Sequence, residues 1–291
     1  MEIAILSHCT IDEISRNGNV VETPGGPATY CGLTAKKMGF GVELHTKVGP
    51  DFKFKQDIEI LGLPLPERSF SNTPTTRFLL DIRGAERELY LKSMCDPVEY
   101  HSSDADGFII SPVFNEVAEE TLDEIRESSN FLLLDPQGYL RRVDNSGRIF
   151  LDRTLLDISK VTAIKTDPEE AFHLTGLRER DAMLALQKRG AKHVLYTNKQ
   201  EITMLVKDRM YSLRIPDMTI SDTTGVGDIF CSAFACSYLK ERDSLWAICF
   251  AVGAAQAALE TKSIGLSKTP HPGAIQQNAA YLYNLVKFSE V

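Results

Sequence analysis

The run Asp222-Thr-Thr-Gly-Val-Gly-Asp228 carries the residue types best suited to chemistry in this chain of 291 residues. It stands directly before an apolar segment, Ile229 to Leu239, that reads as a helix. A helix start leaves backbone N–H groups unpaired and carries a partial positive charge. Gly225 and Gly227 let the backbone turn tightly and approach a ligand closely. The amides of Gly225, Val226 and Gly227 thus form a candidate anion hole, suited to a phosphoryl group in transfer. Asp228 sits at that site as a candidate base for a substrate hydroxyl. The same run also fits a plain helix cap, with glycine supplying the turn.

The elements that must position this run follow a βα rhythm. Ile3 to Leu6 reads as a buried strand, Thr29 to Met38 as a helix stopped by Gly39 and Gly41, and Val42 to Val48 as the next strand. Phe52 to Leu61 reads as a helix closed by Gly62 and Pro64. This order marks a parallel sheet covered by helices. Thr75 to Lys92 breaks the rhythm, with apolar alternation around Arg83-Gly84 that predicts a hairpin with one wet face. Inserted in an α/β chain, such a piece can act as a lid. Strands then follow at 107–110, 131–134, 161–165 and 193–197, with helices at 117–127 and 181–188. Asp167-Pro-Glu-Glu170 opens a helix, with Asp at N-cap, Pro at N1 and acids in the first turn. Ile202 to Val206 and Met210 to Ile215 predict a second hairpin, and helices at 227–239, 244–259 and 273–286 complete the chain.

Composition narrows the function. Hydrophobic content of 43% and charged content of 25% suit a globular enzyme with a full core. A formal net charge of −8 argues against nonspecific binding to nucleic acid or an anionic membrane. The six cysteines include no C-x-x-C pair, so zinc and thioredoxin-like readings lack support. They read as small core residues of a reducing compartment. The opening apolar stretch is only strand-length, and the run Leu245 to Leu259 is broken by Gln256 and too short to span a bilayer. The expectation is a cytoplasmic protein with one α/β domain over 1–291 and neither nucleic acid nor membrane as partner. There is no G-x-x-x-x-G-K-[ST], and no G-x-G-x-x-G follows the first strand.

The Asp222–Asp228 run resembles the second signature of the ribokinase (PfkB) family of carbohydrate kinases, D-T-x-G-A-G-D. Six of seven positions agree, counting the free one; Val226 replaces alanine. The resemblance implies a ribokinase-like α/β three-layer sandwich with a central, mostly parallel sheet and a small β lid from about 75–92 and nearby N-terminal segments. It implies ATP and Mg²⁺, a small polyol or sugar as acceptor, Asp228 as general base, and lids that help to form homodimers. Asp12 matches the family acid that holds substrate hydroxyls. Gly25 and Gly26 match its Gly-Gly turn, in a run that ends at Tyr30 where sugar kinases carry Asn. Asp167 and Glu170 match the N-x-x-E motif that organises Mg²⁺ through water, with Asp in place of Asn. Thr197 and Asn198 fall where the family has T-x-G near the ATP phosphates, but Lys199 replaces the glycine. Thr223, Gly225 and Gly227 fall against ATP, and Gly265 marks the adenine wall.

Three runs are similar to archaeal and plant myo-inositol kinases. They are Gly25-Gly-Pro-Ala-Thr-Tyr30, Ser111-Pro-Val-Phe-Asn-Glu116, and Asp135-Pro-Gln137-Gly-Tyr-Leu-Arg141. On this resemblance the acceptor leans to myo-inositol, with Gln137 on its hydroxyls. Asp135-Pro-Gln-Gly also reads as a simple turn, and Arg141 as a surface charge. The alternatives are a kinase for ribose, fructose or an adenosine-like nucleoside, and a non-catalytic ligand sensor on the same fold.

Overall fold

Strand burial follows from the apolar runs. Gly107–Ile110, Leu132–Leu134 and Ala163–Thr166 are buried at every residue, as central parallel strands covered on both faces must be. In chain order the elements are β1 (Glu2–Leu6), β2 (Thr10–Arg16), β3 (Asn19–Gly25), α1 (Pro27–Lys37), β4 (Gly41–His45), α2 (Lys55–Ile60), β5 (Arg77–Arg83) and β6 (Glu86–Ser93). Next come β7 (Gly107–Ile110), α3 (Glu119–Ser128), β8 (Leu132–Leu134), α4 (Gln137–Leu140), β9 (Arg141–Val143), β10 (Ile149–Leu151), β11 (Ala163–Thr166) and α5 (Pro168–Thr175). The chain ends with α6 (Glu179–Lys188), β12 (His193–Asn198), β13 (Glu201–Val206), β14 (Arg209–Arg214), α7 (Val226–Glu241), α8 (Ser244–Glu260), α9 (Pro272–Tyr283) and β15 (Lys287–Glu290). This computed structural model describes residues 1–16, 18–83, 86–218, 222–261 and 263–291.

Among the described residues, nine strands form the main sheet in the order β15-β14-β13-β12-β11-β8-β7-β1-β4. The six from β12 to β4 are parallel, and β13, β14 and β15 extend the edge antiparallel. One face packs on α1, α7, α8 and α9 through a core that includes Phe131, Phe234 and Ile248. The other face packs on α3, α5 and α6 through Leu122, Leu174 and Leu186. Helices on both faces make the three layers that the resemblance implies. Ser232 Oγ donates to Cys31 O at 2.8 Å and ties α7 to α1.

A second sheet, in the order β3-β2-β5-β6, forms the lid. The hairpin expected over Thr75 to Lys92 is present as β5 and β6; Gly84 at its turn lies outside the described residues. Strand β2 pairs antiparallel with β3 and parallel with β5. Neither β2 nor β3 was legible as a strand, because polar residues such as Asp12, Glu13 and Glu22 break their apolar alternation. The strand expected over Val42 to Val48 stops at His45, and Val48 makes only an isolated bridge to Phe70. The 141–151 hairpin and β15 carry short or wholly exposed patterns that gave no signal.

All six cysteines are buried and free, as expected of small core residues. Among the described residues no helix is long and apolar enough to cross a membrane. The start of α5 is a capping box: Asp167 Oδ1 accepts from Glu170 N–H, and Glu170 Oε2 accepts from Asp167 N–H, both at 2.8 Å. Gly138, in α4, lies hard against the loop after β7. A Cβ there would come within 2.4 Å of the Pro112 carbonyl. Gly138→Ala is expected to lower stability by about 1–3 kcal/mol, the usual cost of overpacking, read from urea unfolding midpoints.

Candidate active site

The C-terminal ends of β1, β7, β8 and β11 meet the first turn of α7 beneath the lid. Open parallel sheets bind ligands at this end, where strand order reverses; here β1 has β4 on one side and β7 on the other. A cavity of about 340 Å³ lies there. Lid residues Ile14, Phe78, Leu80 and Leu89 form an apolar wall, and the opposite side is polar.

The floor is the turn before α7. Gly225 caps the helix in the left-handed region, at φ 73°, and a Cβ on it would lie 2.5 Å from the Tyr30 ring. Only glycine meets both conditions. Val226 N–H donates to Thr223 O at 3.2 Å and closes the turn. Of the three amides read from the sequence as an anion hole, that of Val226 is thus already paired within the turn. Gly227 and Asp228, in the first helical turn, have N–H groups with no intrahelical acceptor. Both residues line the cavity.

An ammonium sits among acids beside this turn. Lys165 Nζ lies 3.4 Å from Asp135 Oδ2 and 3.4 Å from Glu170 Oε2. Burial opposes the Lys165 charge, but Asp135 and Glu170 outweigh it and hold its pKa well above the ordinary lysine value. Burial pushes Glu170 upward despite Lys165. Asp228 is raised to about 7, first by burial and then by the negative charge of Asp135; Lys165 and Arg141 only partly oppose this. That value is useful in a base working near neutral pH.

A second polar group faces the lid. Asp12 Oδ1 accepts from Thr10 Oγ1 at 2.7 Å, and burial raises its pKa to about 6. Gly25 does not line the cavity. It makes room for this carboxylate, since a Cβ on Gly25 would fall 2.0 Å from Asp12 Oδ2. Arg141 is not the surface charge read from the sequence. Its Nη1 donates to Val113 O at 2.9 Å, its Nη2 donates to Gln137 Oε1 at 2.7 Å, and it lines the cavity. From the lid, Arg87 Nη1 donates to Thr223 Oγ1.

Asp12, Gly26, Tyr30, Gln137, Gly225, Gly227 and Asp228 all line this cavity. Tyr30 is 1% exposed, and its hydroxyl has no hydrogen-bond partner among the described residues. Val226, Thr223, Thr197, Asn198, Gly265, Asp167 and Glu170 lie outside the lining. Thr197 Oγ1 donates to Thr166 O at 3.4 Å, and Gly265 packs under Thr23 of β3. Glu170 reaches the cavity only through Lys165. Sequence reasoning missed Lys165 and Arg87, and it gave Asp135 and Arg141 no role of their own within the run that holds them. Lys165 had one signal, a lone charge inside an otherwise uncharged strand.

Comparison with known proteins decides the family. A model described as pfkB family carbohydrate kinase matches residues 3–271. The chain belongs to the pfkB family of carbohydrate kinases. A cytidine kinase of Thermococcus kodakarensis is 26% identical over 260 residues, covering 83% of this chain and 90% of that protein. An inositol 3-kinase of Arabidopsis thaliana is 27% identical over 146 residues, covering 49% of this chain and 41% of that protein. The solved structure of a pyrophosphate-dependent myo-inositol-1 kinase converted into a myo-inositol-3 kinase superposes with a TM-score of 0.80. It is 20% identical and covers 97% of this chain and 99% of its own, which shows the fold. As a pfkB kinase the protein is an enzyme that moves a phosphoryl group to a small acceptor. The motif resemblance and the three-layer fold agree with that membership.

The charge cluster of this pfkB kinase has a stability consequence. An Asp228 pKa raised from 3.8 to about 7 means that the folded state binds this proton more tightly than the unfolded state does. The stability it lends is full below about pH 4 and is lost as pH rises through about 7. Asp228→Asn is therefore expected to raise the unfolding temperature at pH 8 and to change it little at pH 4. Thermal melts at the two pH values measure this.

Proposed function

We propose that this pfkB kinase transfers the terminal phosphoryl group of ATP to a ring hydroxyl of a small polyol, with myo-inositol first among the acceptors. The observation that carries the reading is one cavity holding Asp228, poised near pH 7 at a helix start, opposite the hydroxyl-binding set Asp12, Gln137 and Arg141. Asp12 accepts hydroxyl protons, and the Arg141 fork donates to hydroxyl oxygens. Gln137 buttresses that fork. Such paired bonding rejects analogues that lack a hydroxyl.

The acceptor lies between the polar floor and the apolar lid. Asp228 takes the proton of one hydroxyl as its oxygen attacks the phosphorus in line. The new P–O bond forms while the bond to the leaving diphosphate breaks. The Gly227 and Asp228 amides and the positive end of α7 hold the negative oxygens of the transferring group. Phe78, Leu80 and Leu89 exclude water when acceptor is bound, which limits wasteful donor hydrolysis. The donor set also fits Mg²⁺: buried Glu170 and neighbouring Asp167 and Asp135 offer carboxylate oxygens, the ligands of a hard cation. Asp167 and Glu170 would hold it through water, where it neutralises donor charge.

Two features favour second readings. The four apolar lid side chains would also cover a nucleobase, and the cytidine kinase relative spans most of this chain. For the donor, the absent glycine at Lys199 and the pyrophosphate-dependent structural neighbour favour pyrophosphate. A matrix of acceptors (myo-inositol, ribose, fructose, cytidine, adenosine) against ATP and pyrophosphate, read by phosphorylated product, decides both. Turnover of cytidine alone would overturn the polyol reading.

Asp228→Asn is expected to fold and to lose about 10²–10⁴-fold in kcat, the usual worth of a general base. Near-normal turnover would remove Asp228 from that role. In the parent enzyme kcat/KM for the acceptor should fall tenfold per pH unit below about 7, as Asp228 takes up its proton. Arg141→Met should raise the acceptor KM more than it lowers kcat, since the guanidinium binds hydroxyls in ground and transition state alike.

A further inference from the structure

Lys268 closes the short 3₁₀ turn Gly265–Lys268 between α8 and α9, in a stretch that no motif marks. It is 2% exposed, which is rare for a lysine and costs free energy unless the charge is matched. Its Nζ donates to Asp222 Oδ2 and to the main-chain carbonyl of Thr224. Asp222 Oδ1 also accepts from Thr224 N–H at 3.0 Å. The same ammonium stands 5.8 Å from the centre of the Tyr30 ring, the ring that Gly225 packs on. Carboxylate, carbonyl, ring and glycine turn thus converge on one positive charge behind the first turn of α7.

Burial pulls the Lys268 pKa down, and Asp222 opposes that pull. Burial pushes Asp222 up, but the Lys268 ammonium and the Thr224 N–H outweigh it and hold the carboxylate ionised. The partners of Nζ are oxygens only, one carboxylate and one carbonyl. A small free cation takes the same ligands. Lysine supplies that charge as a compact point on a flexible stem.

We propose that Lys268 is a built-in cation: it fixes the turn from Asp222 to Gly225, and so aims the α7 amides, in a place that a free monovalent ion could otherwise fill. It acts through Asp222 and Thr224 and is a positioning residue. The consequence is a kinase whose turnover needs no added potassium, sodium or ammonium. The inference rests on the α7 start being the phosphoryl site, as set out under Proposed function.

The test uses the full chain with choline chloride as the ionic-strength control. Wild-type kcat should stay within about twofold when potassium or ammonium replaces choline. Lys268→Ala opens room for an ion. It should lose up to about 10²-fold in kcat in choline, the cost of slight misplacement of reacting groups, and regain at least about tenfold in potassium or ammonium. The acceptor KM should stay put. Lys268→Met fills the space with an apolar group and should not be rescued. A readout independent of turnover is the unfolding temperature, which should rise with potassium over choline in Lys268→Ala and not in wild type. A wild type that requires potassium overturns the proposal, and so does a Lys268→Ala protein indifferent to small cations in both readouts. Should that variant fail to fold, the ion dependence of the wild type decides. If no donor and acceptor pair turns over, the kinase reading fails, while the unfolding temperatures still judge Lys268.

Discussion

The site depends on one ammonium among acids. Lys165 leaves β11 and lies between Asp135, which follows β8, and Glu170, in the first turn of α5. Each acid comes from a different βα unit, and Asp228 from α7 adds a third carboxyl group nearby. Without Lys165 the three carboxylates would repel across a space with little water. With it, one positive charge offsets part of theirs and still leaves Asp228 reluctant to ionise. The raised Asp228 pKa and the firmly charged Lys165 thus share a single electrostatic origin.

The lid and the sheet divide the remaining tasks. The sheet ends fix the charged groups through buried backbone that has little freedom to move. The lid contributes apolar surface and one long cation, Arg87, whose contact with Thr223 links it to the turn before α7. Asp12 belongs to both parts, because β2 is a lid strand that begins where β1 leaves the sheet. The Asp12 carboxylate therefore follows the position of the lid as well as the floor.

Much of this was legible from the chain. Apolar runs such as Phe108-Ile-Ile110 and Leu132-Leu-Leu134 announce central strands, and the Asp222–Asp228 run announces the helix start and the carboxylate beside it. Those signals are local, so they survive in one dimension. Lys165, Arg141 and Lys268 were not legible, because what defines each is a partner far along the chain. Arg141 reads as an ordinary exposed charge until Val113 O and Gln137 are placed beside it. That Val226 N–H is paired with Thr223 O was not legible either, since only the turn geometry shows it.

The vanishing clearance between residue 25 and the Asp12 carboxylate has an evolutionary reading. Position 25 ends a lid strand, where most side chains would leave the scaffold standing. Any methyl there evicts the acid from its niche. A chain that needs the acid in place is thereby held to the smallest residue at this point, and one freed of that need could drift here first and keep its architecture.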